Sequence, residues 1–243
     1  GEPYHSWVIE APDSLKLELP VDQTALNVRI VADVTPYRET KVRILNGLHT
    51  SMALIGTLAG LQTVGECMQH PTLTPFLLAE AHKEIIPSMD LPEDDLRQFT
   101  AAVLDRFRNP VIQHYLRSIA LNSSGKVRPR IVTSIQAYAA KRHVLPPRLV
   151  LALTAFIRLY RGEWQGQPVT LNDNPDVIRW LQEQWQSAAS PSALAQAVLS
   201  NSGLWGTDLS QVTHLEELVT QYLIALDTIG ILPLVQQINE ESS

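Results

Sequence analysis

The 243-residue sequence has a single cysteine, Cys67, and only eleven glycines. One cysteine cannot close an internal disulfide, so a reducing, cytoplasmic setting is the natural expectation. Cys67 itself reads as a small core residue rather than a nucleophile. None of the glycines falls into G-x-G-x-x-G or G-x-x-x-x-G-K-[ST], the patterns whose backbone amides cradle phosphates. The chain is therefore not expected to hold a dinucleotide by itself. Its seven histidines show neither H-x-x-x-H nor H-E-x-x-H spacing, and no metal site is expected. Basic charge is also scarce: 19 Lys and Arg stand against 25 Asp and Glu, a net charge of −6 that argues against nucleic acid. No apolar run approaches the roughly 20 residues that cross a bilayer. The start, Gly1-Glu2-Pro3-Tyr4-His5, lacks a basic and apolar signal segment, so no membrane partner is expected.

What is present is an ordinary globular composition, with 45% hydrophobic and 18% charged residues, long enough to bury a sizeable core. The first 34 residues differ in texture from the rest. Trp7-Val8-Ile9-Glu10 and Asn27-Val28-Arg29-Ile30-Val31-Ala32 are short and β-branched and bounded by prolines, which predicts two strands. Two strands make no stable sheet alone, so they are expected to complete a sheet lying elsewhere. From Thr35 the periodicity turns helical, with Thr35 as N-cap, Pro36 in the first turn and the helix running to about Leu61. Further helices are predicted over Leu73–Ile85, Glu93–Arg106, Val111–Leu121, Lys126–Lys141, Arg148–Arg161, Pro175–Ser187, Pro191–Asn201 and Leu215–Ile229. Breaks fall at Pro87, Asn109-Pro110, Asn122–Gly125, Pro146-Pro147, Gly162–Asn174 and Ser202–Gly206. The reading is a mainly α, multi-helix domain over 35–243 behind a β-containing leader over 1–34.

The helix from Thr35 carries an unusual set of polar residues. At about 100° per residue, Arg38, His49 and Asn46 fall in one arc of about 140° that starts at Lys41. Val42, Leu45, Leu48 and Met52 lie in or beside that arc, which predicts burial. Glu39, Thr40, Arg43, Gly47 and Thr50 lie opposite, with Glu39 and Arg43 as an ion pair facing water. A lysine deprived of water tends to lose its proton, which is what a general base near neutral pH requires. From the helix alone two readings stand side by side. One is a functional cluster; the other is a satisfied core histidine, a packed asparagine and a lysine that snorkels to the rim.

Lys41-x4-Asn46-x2-His49, inside Lys-Val-Arg-Ile-Leu-Asn-Gly-Leu-His-Thr, resembles the signature of the polyol-specific long-chain dehydrogenases, the mannitol dehydrogenase family. Tyr4-His5-Ser6-Trp7-Val8-Ile9-Glu10 is similar to the segment leading out of that family's cofactor domain. Arg106-Phe107-Arg108-Asn109-Pro110-Val111-Ile112, followed by Lys126, is similar to a second family block. The resemblance implies a helical C-terminal domain of the 6-phosphogluconate-dehydrogenase type, with a remnant of the cofactor domain at its start. It implies NAD as cofactor, bound by an N-terminal Rossmann domain of the same protein, and an enzyme inactive without that half. Lys41 is then the general acid/base, Asn46 the donor to the developing oxyanion, His49 the group that orients a neighbouring hydroxyl, and Lys126 a further substrate ligand. Polyol-oxidising members tend to be acidic at the position of Arg38, and to carry an Arg at the position of Ser118, with Arg117 adjacent here. Arg38 thus implies a carboxylate-bearing substrate, a keto-uronate such as tagaturonate reduced to an aldonate. The alternatives are a polyol or fructuronate-type dehydrogenase of the same family, and a non-catalytic helical binding module.

Overall fold

The computed structural model describes residues 7–21, 26–109, 111 and 113–241. Tyr4, His5 and Ser6, and Pro110 and Ile112 of the second block, lie outside the described residues. The chain divides into two compact units, residues 1–42 and 43–243.

The first unit holds β1 (Trp7–Glu10), α1 (Leu15–Glu18), β2 (Val28–Val31) and α2 (Thr35–Thr40), and it ends inside a π turn, Lys41–Leu45. The two strands pair with each other, in parallel, with Trp7 opposite Val28 and Glu10 opposite Val31. Trp7 is 61% exposed and Ile30 is the only buried residue of the two strands, so this small sheet buries little apolar surface. Thr35 is not the N-cap. Val34 holds that position, and carboxylates do the capping: Glu10 Oε2 accepts from Val34 N at 2.9 Å, and Asp33 Oδ1 from Thr35 N at 2.8 Å. A carboxylate two residues back can reach the amide more directly than a hydroxyl inside the turn.

The second unit begins within the same π turn. It continues through α3 (Asn46–Leu58), α4 (Val64–Gln69), α5 (Leu73–Ala79) with a π extension Glu80–Ile85, and α6 (Glu93–Phe107). Next come α7 (Leu116–Ile119), α8 (Ser124–Val127), a π turn Arg128–Val132, α9 (Thr133–Arg142) and α10 (Pro147–Leu159). A hairpin of β3 (Glu163–Trp164) and β4 (Gln167–Pro168) precedes α11 (Pro175–Ser187), α12 (Pro191–Leu199), α13 (Ser202–Trp205), α14 (Leu215–Thr228) and α15 (Ile231–Glu241). The predicted helix over 111–121 shrinks to α7, because Tyr115 is extended and forms a β-bridge with Thr63. α4 was missed despite its Thr63-x-x-Glu66 pattern: Thr63 Oγ1 accepts from Glu66 N, and Glu66 Oε2 reaches back to Gln62 N at 2.7 Å. The hairpin was missed too. Gln165 and Gly166 both have positive φ, as a two-residue hairpin turn demands, and the Trp164 indole pins it to Leu58 O at 2.8 Å.

α10 is the centre. Every residue from Arg148 to Leu159 is buried, and the helix packs against α3 and α14. From Leu149 to Ile157 every residue but Thr154 is apolar, as such a place requires, and the buried Arg158 near the far end pairs with Asp227 and Glu163. α3 is buried along most of its length as well. A Cβ on Gly56 would come within 2.7 Å of Leu116 Cδ1 and 2.8 Å of Cys67 Sγ, so glycine there lets α3 lie close to α7 and α4. Cys67 is a core residue, as expected, and burial pushes its thiol up to about 12.

Burying the start of α10 strands its first amides unless something inside the protein accepts them. Glu84 Oε1 accepts from Arg148 N and from Arg148 Nη1, at 3.0 and 3.1 Å, and Glu84 Oε2 accepts from Leu149 N at 2.9 Å. Both side chains of this ion pair are 3% exposed or less. One turn earlier in the same π segment, Glu80 is fully buried; Ser51 Oγ donates to its Oε1, and its Oε2 has no partner. Burial pushes the Glu80 carboxyl up to about 8.

Two outcomes are expected on unfolding in urea. Arg148→Met leaves Glu84 as a buried charge without its cation and is expected to cost about 3–5 kcal/mol. Glu80 is raised above its ordinary 4.5, so its stabilising share is whole below that pH and is lost as pH rises through about 8. Glu80→Gln, which cannot ionise, is expected to flatten the fall in stability across that interval by up to about 1.4 kcal/mol per pH unit. An unchanged slope would show that Glu80 does not titrate there.

Candidate active site

The buried and open faces of the motif helix differ from those that a uniform wheel predicts. Arg43, Gly47 and Thr50, expected to face water, are buried, whereas Asn46 and His49 are only half-buried. The wheel fails because Lys41–Leu45 is a π turn, closed by i→i+5 bonds, which breaks the 100° step. Arg43 is held inside by polar partners: Nε donates to Ser134 Oγ at 3.1 Å, and Nη2 to Ser88 O and Oγ at 3.2 and 2.5 Å. Asn46 and His49, with Thr57 near the far end, are thus the half-buried positions of an otherwise covered α3. The Asn46 side-chain amide makes no hydrogen bond within the described residues, so its donors are free for a ligand.

His49 packs its ring against Phe107 at 4.3 Å and edge-on to His114 at 4.9 Å. His114 is positioned by the strand-like link to α4, since its carbonyl accepts from Val64 N at 3.0 Å. Burial, and then the charges of His114, Arg130 and Arg106, push His49 down to about 3. It is a neutral imidazole across the physiological range, able to accept or donate a hydrogen bond to a hydroxyl.

Lys126 sits in α8 and its Nζ donates to Ile119 O at 2.9 Å. The loop before it is anchored by Asp173, whose carboxylate accepts from Ser124 N and Oγ at 2.7 and 2.6 Å, from Tyr160 OH and from Asn174 N. Burial pushes Asp173 up, yet these bonds outweigh it and hold the carboxyl below its ordinary value. Burial and the charge of Arg130 lower Lys126, with Asp173 opposing.

Arg130 is a residue that sequence reasoning did not single out. Its Nη1 donates to Thr50 Oγ1 at 3.1 Å, and Thr50 Oγ1 in turn donates to Asn46 O at 2.8 Å. The available signal was Pro129, a proline inside a predicted helix and flanked by two arginines. Proline removes an amide from the ladder, and the chain takes a π turn there. Arg117, a candidate substitute for the arginine expected at Ser118, is exposed and stacks over Tyr115 at 5.0 Å.

In the first unit, Arg38 and Lys41 are exposed, against the expectation of a buried face. A dinucleotide does not fit here. The turn between β2 and α2 contains no glycine, and the amides at the start of α2 already point at the carboxylates of Glu10 and Asp33. Those charges would repel a phosphate. Among the described residues no group of His, Cys, Asp and Glu is placed to hold a metal, and no helix is long and apolar enough to cross a membrane.

A family profile described as the mannitol dehydrogenase C-terminal domain matches residues 33–227. An altronate oxidoreductase of Klebsiella pneumoniae is 44% identical over 95% of this chain and 48% of its own length. One of Bacillus subtilis is 38% identical over 98% of this chain and 48% of its own. The chain thus spans about half the length of the curated relatives it matches. Among solved structures, mannitol 2-dehydrogenase of Pseudomonas fluorescens, in a ternary complex with NAD and D-mannitol, superposes with a TM-score of 0.78. It covers 88% of this chain and 43% of its own at 23% identity, which bears on the fold alone.

The displaced titration of His49 is directly measurable. Its value lies below the ordinary 6.5, so the stability it contributes is present above pH 6.5 and is lost as pH falls towards about 3. In an NMR titration the His49 ring is expected to stay neutral down to about pH 5. A midpoint near the ordinary value would mean that water reaches the ring past Phe107 and His114.

Proposed function

Since the chain belongs to the mannitol dehydrogenase family through its C-terminal domain, we propose that it is the substrate-binding, proton-transferring part of an NAD-dependent oxidoreductase. The reaction proposed is the interconversion of the keto-uronate tagaturonate and the aldonate altronate. The observation that carries this reading is the intact Lys41-x4-Asn46-x2-His49 motif in a chain 44% identical to the altronate oxidoreductase of Klebsiella pneumoniae. In it, a nucleotide-binding half of the same longer protein holds NAD, which exchanges the hydride. Residues 1–34, with their sparsely covered parallel strands, form the margin of that half, and 35–243 form the catalytic domain. A cytoplasmic location suits the free thiol of Cys67.

The residues of this chain handle the proton and the substrate. Lys41 Nζ takes the hydroxyl proton when altronate is oxidised and returns one to the oxygen when the ketone is reduced. Lys41 is exposed in this chain, so the role requires bound substrate and the rest of the protein to remove its water. The Asn46 amide donates to the oxygen as charge develops on it, where a fixed donor is worth most. Neutral His49 orients an adjacent hydroxyl. Lys126 is a further ligand, and Arg38 places positive charge where polyol-oxidising members tend to be acidic.

In the full-length enzyme, Lys41→Ala is expected to lower kcat by about 10²–10⁴-fold, with partial rescue by small amines. Asn46→Ala is expected to act mainly on kcat and His49→Ala also on KM, because a ground-state hydroxyl loses its partner. Arg38→Glu is expected to narrow the preference for tagaturonate over fructose. Near-normal turnover in Lys41→Ala would place the base elsewhere and end this reading.

A further inference from the structure

Arg130 takes no part in the roles assigned above, yet its surroundings lack a counter-charge. It is half-buried in the π turn Arg128–Val132, and its single hydrogen bond among the described residues is the one from Nη1 to Thr50 Oγ1. No carboxylate among the described residues pairs with it. A guanidinium withdrawn from water is unfavourable unless an anion answers it. Its neighbours deepen the imbalance. Lys126 and His49 both feel the charge of Arg130, and His49 feels Arg106 as well. Asp173 faces Lys126, but its oxygens are occupied by Ser124, Tyr160 and Asn174. Arg130 and Arg106 thus both bear on a neutral imidazole, and Arg130 on Lys126 as well.

The geometry also says which part of Arg130 is available. Nη1 is braced on Thr50, the residue after His49, and Thr50 is bonded to Asn46 O. The guanidinium is thereby fixed to the turn of α3 that carries Asn46 and His49. Its Nε and Nη2 donors, which make the side-on fork that matches a carboxylate, have no partner among the described residues.

We propose that Arg130, with Lys126 beside it, binds the carboxylate of the sugar acid through its Nε–Nη2 edge and is, in addition to Arg38, a specificity-determining residue for the acid. This rests on the reading above, in which the substrate is a keto-uronate or its aldonate. It adds a cation that neither the motif nor the resemblance marks. His49 then meets a hydroxyl of the same substrate, and a neutral ketose or polyol leaves the Arg130 fork unanswered.

The test uses the full-length enzyme in wild-type, Arg130→Met, Arg130→Lys and Thr50→Val forms. It reads kcat/KM for tagaturonate and for fructose, together with calorimetric Kd values for altronate and for neutral altritol. Arg130→Met is expected to lose about 10–150-fold on tagaturonate, mostly in KM, and a similar factor in altronate affinity, as for a lost charge-assisted pair. Fructose and altritol are expected to change by less than about threefold. Arg130→Lys keeps the charge but not the fork and is expected to recover part of the loss; it carries the test if the Met variant does not fold. Thr50→Val removes the brace and is expected to show a smaller loss of the same kind, on the acid alone. Equal losses on acid and neutral substrates in Arg130→Met would reduce Arg130 to a support for α3 and overturn the proposal. A wild type that prefers tagaturonate with Arg130→Met unaltered would overturn it alone. A wild type that prefers fructose would instead overturn the substrate assignment on which it rests.

Discussion

A helix buried along its whole length must have its first amides answered from within the protein, and in α10 Glu84 answers them. Its two carboxylate oxygens accept from the amides of Arg148 and Leu149, and the Arg148 guanidinium balances the charge. The arrangement ties the π segment after α5 to the start of the central helix, and Arg148 Nη2 extends it to Ile238 O in α15. With that end satisfied, α10 can present apolar residues in every direction. α3 and α14 pack on it, and the remaining helices gather around these. The core is thus organised by a polar contact at the place where a buried helix cannot satisfy its own first amides.

The π turns link this architecture to the site. One lies at Lys41–Leu45 and another at Arg128–Val132, and both deliver charged residues that regular helices would have aimed elsewhere. In the first, Arg43 turns inward and is caught by Ser88 and Ser134, which anchors the start of α3. In the second, Arg130 comes to rest on Thr50. Each widened turn costs some regular hydrogen bonding and gains a placement that i→i+4 geometry does not offer.

The electrostatic character of the second unit's site follows from that placement. His49 is desolvated between Phe107 and His114 and set among arginines, so it stays neutral and serves through hydrogen bonds rather than charge. The positive charges around it are held by groups outside the motif. Asp173 fixes the loop that leads to Lys126, and Thr50 holds Arg130. Under the proposed function, these charges would meet the anionic end of the substrate and His49 a hydroxyl.

The sequence by itself determined the class of fold, the course of most helices and the family motif. Helical periodicity and proline breaks report local backbone preference, and three polar residues at fixed spacing need no partner to be read. The faces of the motif helix were decided only by tertiary structure: Arg43 is buried because Ser88 and Ser134, far along the chain, accept its donors. The same holds for the β-bridge that shortens the helix before Ser118, and for Arg130 beside Thr50, eighty positions away in sequence. Whether a charged side chain faces water depends on which distant groups can answer it, and that is settled by packing rather than by local pattern.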